Sequence, residues 1–217
     1  MLNLPLAKSG STLQVLCVGA HSDDIEIGCS GTVLGLLESQ PGVEVTWVVF
    51  SAEGRRGDEA LESADRLLAM ARARSVVLKS FRDGFFPFQG VEMKEAFEDL
   101  KGQVSPDVIF THHRGDLHQD HRLISELTWN TFRNHMILEY EIPKYDGDLS
   151  SPNVYVHLTE TVCQRKVSNL IQTFSTQEGR HWFAEDLFRA LMRLRGMESR
   201  APEGLAEGFH ARKLVLG

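Results

Sequence analysis

A chain of 217 residues with 30 acidic against 23 basic side chains carries a formal net charge of −7. It is long enough for one domain with a buried core, and it lacks the basic tract that a run of phosphates demands, so nucleic acid is a poor fit as a partner. At 42% hydrophobic and 24% charged residues the composition is that of a globular domain, which excludes disordered, collagen-like and low-complexity chains.

The residues before position 13 read as a loose lead-in whose apolar run is too short for a signal peptide or a membrane span, so neither export nor membrane association is expected. Gln14 to Ala20 predicts a parallel strand buried on both faces, and Ile25 to Ser39 a helix stopped by Gln40-Pro41-Gly42. Val43 to Phe50 reads as a second strand, Asp58 to Ala73 as a helix, Val76 to Leu78 as a short strand, Glu92 to Gln103 as an amphipathic helix and Val108 to Thr111 as another strand. Beyond these, a helix is expected over Asp120 to His135, extended segments over Ile137 to Ile142 and Val154 to Leu158, and helices over Glu160 to Phe174 and Glu185 to Leu194. Pro143 to Pro152 has loop composition, and Gly204 to Leu214 is a stretch able to return to the core or to a neighbour. Strand and helix alternate in the rhythm of an α/β, Rossmann-like, open and mostly parallel sheet with helices on both faces. Cys17, Cys29 and Cys163 form no C-x-x-C pair, which points away from a disulfide framework or a cysteine zinc knuckle and towards a reducing, cytoplasmic setting.

In such a sheet ligands gather at the carboxyl ends of the strands. Two polar clusters stand there: His21-Ser22-Asp23-Asp24 after the first strand, and the stretch from His112 to His121 after the strand at 108–111. Capping alone would account for the serine and aspartates of the first cluster, but a cap has no use for a histidine three positions ahead of the second aspartate. Imidazole nitrogen and carboxylate oxygen suit a zinc-like cation that keeps one position open for water, and His21, Asp24 and His121 supply three ligands. His112, His113 and Asp116 are expected to be part of a solvated, histidine-rich loop. A dinucleotide site is disfavoured, since HSDDIEIGCSG replaces the glycine fingerprint and its carboxylates would repel pyrophosphate.

The run Ala20-His21-Ser22-Asp23-Asp24, continued by Ile25-Glu26-Ile27-Gly28-Cys29-Ser30-Gly31, resembles the A-H-P-D-D signature of the zinc-dependent PIG-L, or LmbE-like, N-acetylglucosaminyl deacetylases, with Ser22 in place of the proline. His118-Gln119-Asp120-His121 is similar to the family's H-x-D-H, and Ala206-Glu207-Gly208-Phe209 to a closing segment of bacterial members. The resemblance spans nearly the whole chain and implies a single LmbE-like deacetylase domain over residues 1–217. It implies His21, Asp24 and His121 as metal ligands, Asp23 as general base, and His118 as the group that stabilises or protonates the reacting centre. Asp120, between the two histidines, would accept an imidazole N–H and fix its orientation. A family arginine in an R-x-x-E context matches Arg56 with Glu59, with Arg55 as the adjacent alternative. Leu205 stands where some bacterial members carry a tyrosine, so a phenol from that position is missing.

The expected activity is metal-dependent removal of an N-acetyl group from an amino sugar or sugar conjugate, giving acetate and a free amine, with zinc, or iron(II), as cofactor. The expected partners are that small N-acetylated sugar and a second copy of the chain in a homo-oligomer. Two rivals share the same residues: a two-histidine, one-carboxylate iron oxygenase, and a non-enzymatic metal- or sugar-binding module of the same fold. The sugar and its aglycone are open at this level, as is the part played by the phenylalanine-rich segment Phe81 to Phe88, which reads as core or as a lid or interface carrying an apolar sugar substituent.

Overall fold

The computed structural model of the protein describes Leu6 and residues 12–215; apart from Leu6 and Thr12, the expected lead-in lies outside the described residues. The strands are β1 (Leu13–His21), β2 (Val43–Ser51), β3 (Ala73–Leu78), β4 (Val108–His112), β5 (Met136–Tyr140), β6 (Val154–His157) and β7 (Ala206–His210). The α-helices are α1 (Asp24–Ser39), α2 (Arg55–Leu67), α3 (Gly90–Gln103), α4 (Gln119–Thr131), α5 (Glu160–Thr173) and α6 (Glu185–Ser199), with short 3₁₀ turns at Phe86–Gln89 and Ser175–Gln177. All strands join one seven-stranded sheet of order β3-β2-β1-β4-β5-β7-β6. The five strands from β3 to β5 are parallel, and β7 runs antiparallel to both of its neighbours.

Alternation along the strands divides the core between the two faces. On β1, Val15 and Cys17 face one layer with Trp47 and Val49 of β2 and the apolar sides of α1, α2, α5 and α6. Leu16, Val18 and Ala20 face the other, with Val48, Phe50, Met93, Phe97 and Ile124. α1 sits close to the sheet: a Cβ on Gly28 would stand 2.2 Å from the ring of Tyr140. Only glycine admits that approach, and the Tyr140 hydroxyl donates to the Val18 carbonyl at 2.7 Å.

Neighbouring strands β1 and β4 send their connections to opposite faces, α1 on one and α4 on the other, so a crevice opens between their carboxyl ends. Both polar clusters identified in the sequence open into it. Boundaries move where tertiary pairing outweighs periodicity. The helix expected over 58–73 begins at Arg55 and stops at Leu67, because Ala73 to Ser75 pair with β2. The helix expected to reach His135 ends at Thr131. Phe209 and His210 return to the sheet, placing β7 between β5 and β6. Among the described residues, no helix is long and apolar enough to cross a membrane.

Candidate active site

His21 ends β1, Asp24 opens α1, and His121 lies in the first turn of α4. The crossing of these elements brings His21 Nδ1 to 3.2 Å from His121 Nε2. Asp24 Oδ2 lies 3.3 Å from His21 Nδ1, and Asp24 Oδ1 lies 3.6 Å from His121 Nε2. The three residues assigned to the metal therefore converge, although 97 residues separate Asp24 from His121.

Each imidazole is backed by a carboxylate. His121 Nδ1 lies 2.9 Å from Asp116 Oδ2, and His21 Nε2 lies 3.3 Å from Asp120 Oδ2. With the ring protons on those far nitrogens, lone pairs of both histidines point at the shared position, the arrangement by which outer carboxylates orient metal-binding imidazoles. Burial alone would lower the pKa of His21, but Asp24, Asp120 and Asp83 around it hold it well above the ordinary histidine value. Burial, reinforced by His112, depresses His121 to about 3, against the pull of Asp24 and Asp116. His121, His112 and His21 keep Asp24 a carboxylate despite its burial, well below the ordinary range. A neutral imidazole, an ionised carboxylate and a second imidazole surrounded by negative charge form a donor set that fits a divalent cation.

Asp23 is not a cap. It precedes α1 without a side-chain capping bond, so the capping account of this segment fails. Its Oδ1 lies 3.4 Å from Arg56 Nη2, while Oδ2 is buried with no partner. Burial and the neighbouring Asp24 raise its pKa to about 6, with Arg56 and His21 opposing. His118 caps α4, its Nδ1 accepting the Asp120 N–H at 3.3 Å. Burial and the His21 charge hold His118 below its usual pKa. Arg56 lines the pocket and reaches Asp23 and Asp83. Arg55 points away to Glu59 and Ser175, which separates the two arginines that the sequence left as alternatives.

The expectation that His112, His113 and Asp116 lie in a solvated loop is corrected for His112 and Asp116, while Arg114 and Gly115 between them are exposed. His112 is fully buried behind Asp24, with Nε2 3.0 Å from the Ala20 N–H and its ring stacked on His121 at 3.9 Å. Asp116 is buried between His121 and Lys144. Strand β4 lies directly beside β1, so a residue at its end is enclosed by the site instead of meeting water. His113 is half-buried and reaches Glu139. A spacing cue for Asp116 did exist, five positions ahead of His121 on the turn leading into α4.

The phenylalanine-rich segment divides. Phe86 is core, Phe85 and Phe88 are exposed, and the pocket receives Asp83 in place of a phenyl ring. Asp83 contacts His21 Nε2 at 3.1 Å and Arg56 at 3.0 Å, and the His21 bond draws its pKa down to about 2 against partial burial. The amides of Gly84 and Phe86 donate to Asp120 at 2.6 and 3.2 Å, tying this loop to the site. The other pocket wall comes from Lys144, Tyr145, Arg180 and Trp182, positions for which the sequence held no cue.

Residues 16–132 match the family model described as PIG-L, GlcNAc-PI de-N-acetylase. The chain belongs to the PIG-L family of deacetylases. This PIG-L member is 30% identical over 148 residues to the uncharacterized deacetylase YaiS of Escherichia coli K12, an alignment covering 64% of this chain and 78% of that one. Its fold is similar to that of the N,N'-diacetylchitobiose deacetylase of Pyrococcus horikoshii, with a TM-score of 0.66 and 20% identity over 91% of this chain and 83% of the other. It is also similar to GalB, the 4-carboxy-2-hydroxymuconate hydratase of Pseudomonas putida KT2440, with a TM-score of 0.76 and 17% identity over 95% and 98% of the two chains. At such identities the likeness is one of architecture, and the reaction is argued from the site.

Proposed function

We propose that the protein is a metal-dependent hydrolase that removes an N-acetyl group from an amino sugar or sugar conjugate, with His21, Asp24 and His121 holding zinc or iron(II). The observation that carries the reading is the unpartnered, buried Asp23 Oδ2 beside two imidazoles each backed by its own carboxylate. A cation in that seat would polarise the amide carbonyl and acidify water at its open position. Asp23 then accepts the proton of the attacking water at Oδ2, the water oxygen bonds to the carbonyl carbon, and negative charge gathers on the former carbonyl oxygen. Because His118 Nδ1 already accepts from the Asp120 N–H, its ring proton sits on Nε2 and donates to that oxygen, which supports the charge where it develops. Breakage of the C–N bond releases acetate, and the proton held by Asp23 passes to the departing amine. Arg56, with a buried Nε free of partners, offers a planar donor to sugar hydroxyls or a substrate anion.

The family membership and the name of the relative YaiS support deacetylation over the iron-oxygenase and binding-module readings, and Asp23 supplies a base that neither rival requires. The Pyrococcus neighbour, named for a diacetylated chitobiose, supports a sugar substrate. The deciding experiment is acetate release from a panel of N-acetylated sugars, nucleotide sugars and glycosides by protein purified without chelator. An unsaturated dicarboxylate is assayed alongside for loss of ultraviolet absorbance. Acetate release with one equivalent of metal is the expected result; hydration of the unsaturated acid without acetate release, or oxygen uptake in turnover, overturns it.

A further inference from the structure

Lys144 lies in the loop that runs from β5 to β6, outside both strand-end clusters. Its side chain is nine-tenths buried, and its ammonium stands between two buried carboxylates, 2.9 Å from Asp116 Oδ2 and 2.5 Å from Asp148 Oδ2. A buried ammonium loses its hydration, and two buried anions would not share this place without a cation between them. Among the described residues, no other lysine or arginine forms an ion pair with the Asp116 carboxylate.

Both carboxylates hold the turn that leads into α4. Asp148 Oδ2 also accepts the Leu117 N–H at 2.7 Å. Asp116 Oδ1 accepts the His118 N–H at 2.8 Å, and Asp116 Oδ2 meets His121 Nδ1 at 2.9 Å. The oxygen that Lys144 grips is therefore the one that faces His121. With Oδ1 held by His118 and Oδ2 by Lys144, the carboxylate is fixed at both ends, and Oδ2 stays on the imidazole. Without the ammonium, the Asp116 and Asp148 oxygens that now share one nitrogen would face each other as unscreened anions. Their separation would draw Asp116 away from His121 and loosen the turn that carries His118.

We propose that Lys144 is a positioning residue of the metal site: it acts through Asp116 to hold His121 on the cation and takes no direct part in the chemistry. The proposal rests on the reading of His121 as a metal ligand and adds a third member, from a separate loop, to the pair of Asp116 and His121. Carboxylates behind metal-binding histidines set ring orientation and affinity, and the group that fixes such a carboxylate shares in that effect. Lys144 also lines the pocket, so a direct contact with substrate is the competing account, and the two differ in what they predict for the metal.

The test measures zinc affinity by competition with a chromogenic chelator in the wild type, Lys144→Met, Lys144→Arg, Asp116→Asn and the double variant Asp116→Asn/Lys144→Met, with acetate release followed in parallel. Lys144→Met is expected to lose about 10- to 100-fold in affinity, the range for a lost partner behind a ligating histidine. Lys144→Arg, which keeps a cation between the two carboxylates, is expected to remain closer to the wild type than to Lys144→Met. The double variant is expected to match Asp116→Asn within about twofold, because a residue that acts only through Asp116 has nothing further to lose once that carboxylate is gone. Wild-type affinity in Lys144→Met, losses that multiply in the double variant, or a fall in Lys144→Arg as deep as in Lys144→Met overturns the proposal and leaves the metal reading standing. A raised KM with unchanged zinc affinity in Lys144→Met makes Lys144 a substrate contact and overturns it as well. A wild type that binds neither zinc nor iron(II) overturns the metal reading itself, and this proposal with it.

Discussion

At the scale of single residues, the adjacent aspartates show how identical side chains diverge in role. Asp24 is surrounded by imidazoles that hold it ionised; Asp23, one residue earlier, keeps an oxygen free and a pKa near neutrality. Asp24→Ala and His121→Ala are expected to lose metal as well as activity, read by elemental analysis, since each removes one of the three proposed ligands. Asp116→Asn leaves the ligands in place but no longer accepts the His121 proton as a carboxylate, so metal affinity is expected to fall by about 10- to 100-fold, measured by competition with a chromogenic chelator. Asp23→Asn is expected to retain full metal content while kcat drops by roughly 10²- to 10⁴-fold, the range for a lost general base; emergence without metal would make Asp23 a ligand. Arg56→Ala is expected to raise KM more than it lowers kcat, because a guanidinium contact made alike in ground and transition states is uniform binding, and an unchanged kcat/KM would return Arg56 to the surface.

At the scale of elements, helix α1 carries Asp24 at its first residue, and its position is set from the far end of the chain. Glu207 of β7 accepts the N–H groups of Gly31 and Thr32, at 2.9 and 2.7 Å, and the Thr32 hydroxyl. Lys166 of α5 donates to Glu207 and to the Ile27 carbonyl, at 2.5 and 2.6 Å. A buried lysine–glutamate pair is thus set against the middle of α1, and its cost in desolvation is offset by these bonds. Lys166→Met leaves the buried Glu207 without its cation and is expected to destabilise the protein by about 3 to 5 kcal/mol in urea unfolding. The closing A-E-G-F segment is legible here in a sense the sequence did not convey: its glutamate holds α1, and Leu205, just before it, is core. The same scale explains why His112 and Asp116 were read as solvated. A histidine-rich turn is polar in composition, and only the pairing of β4 beside β1 buries it.

At the scale of the whole molecule, the cation would bind elements that open opposite faces of the sheet, α1 and α4, so removing it is expected to loosen the crevice and not a single loop. A ligand present at about a hundred times its dissociation constant contributes about 2.7 kcal/mol, so chelation is expected to lower Tm by about 5 to 10 °C for a chain of this size, reversibly on adding zinc, in a thermal scan. An unchanged Tm with proven metal loss would mean the site is rigid without it. The alternation that makes an open parallel sheet, the two strand-end clusters and the donor types of His21, Asp24 and His121 were legible in the sequence, because hydrophobic period and donor type are local properties. The sequence also placed Arg56 among two candidates. The fold decided that Arg56 and not Arg55 enters the pocket, that the imidazole backed by Asp120 is His21, and that Asp116, expected in a solvated loop, backs His121. Those outcomes depend on which strands are neighbours and on which way the intervening loops fold back, and contacts between residues far apart in the chain leave no period or spacing in the sequence to read.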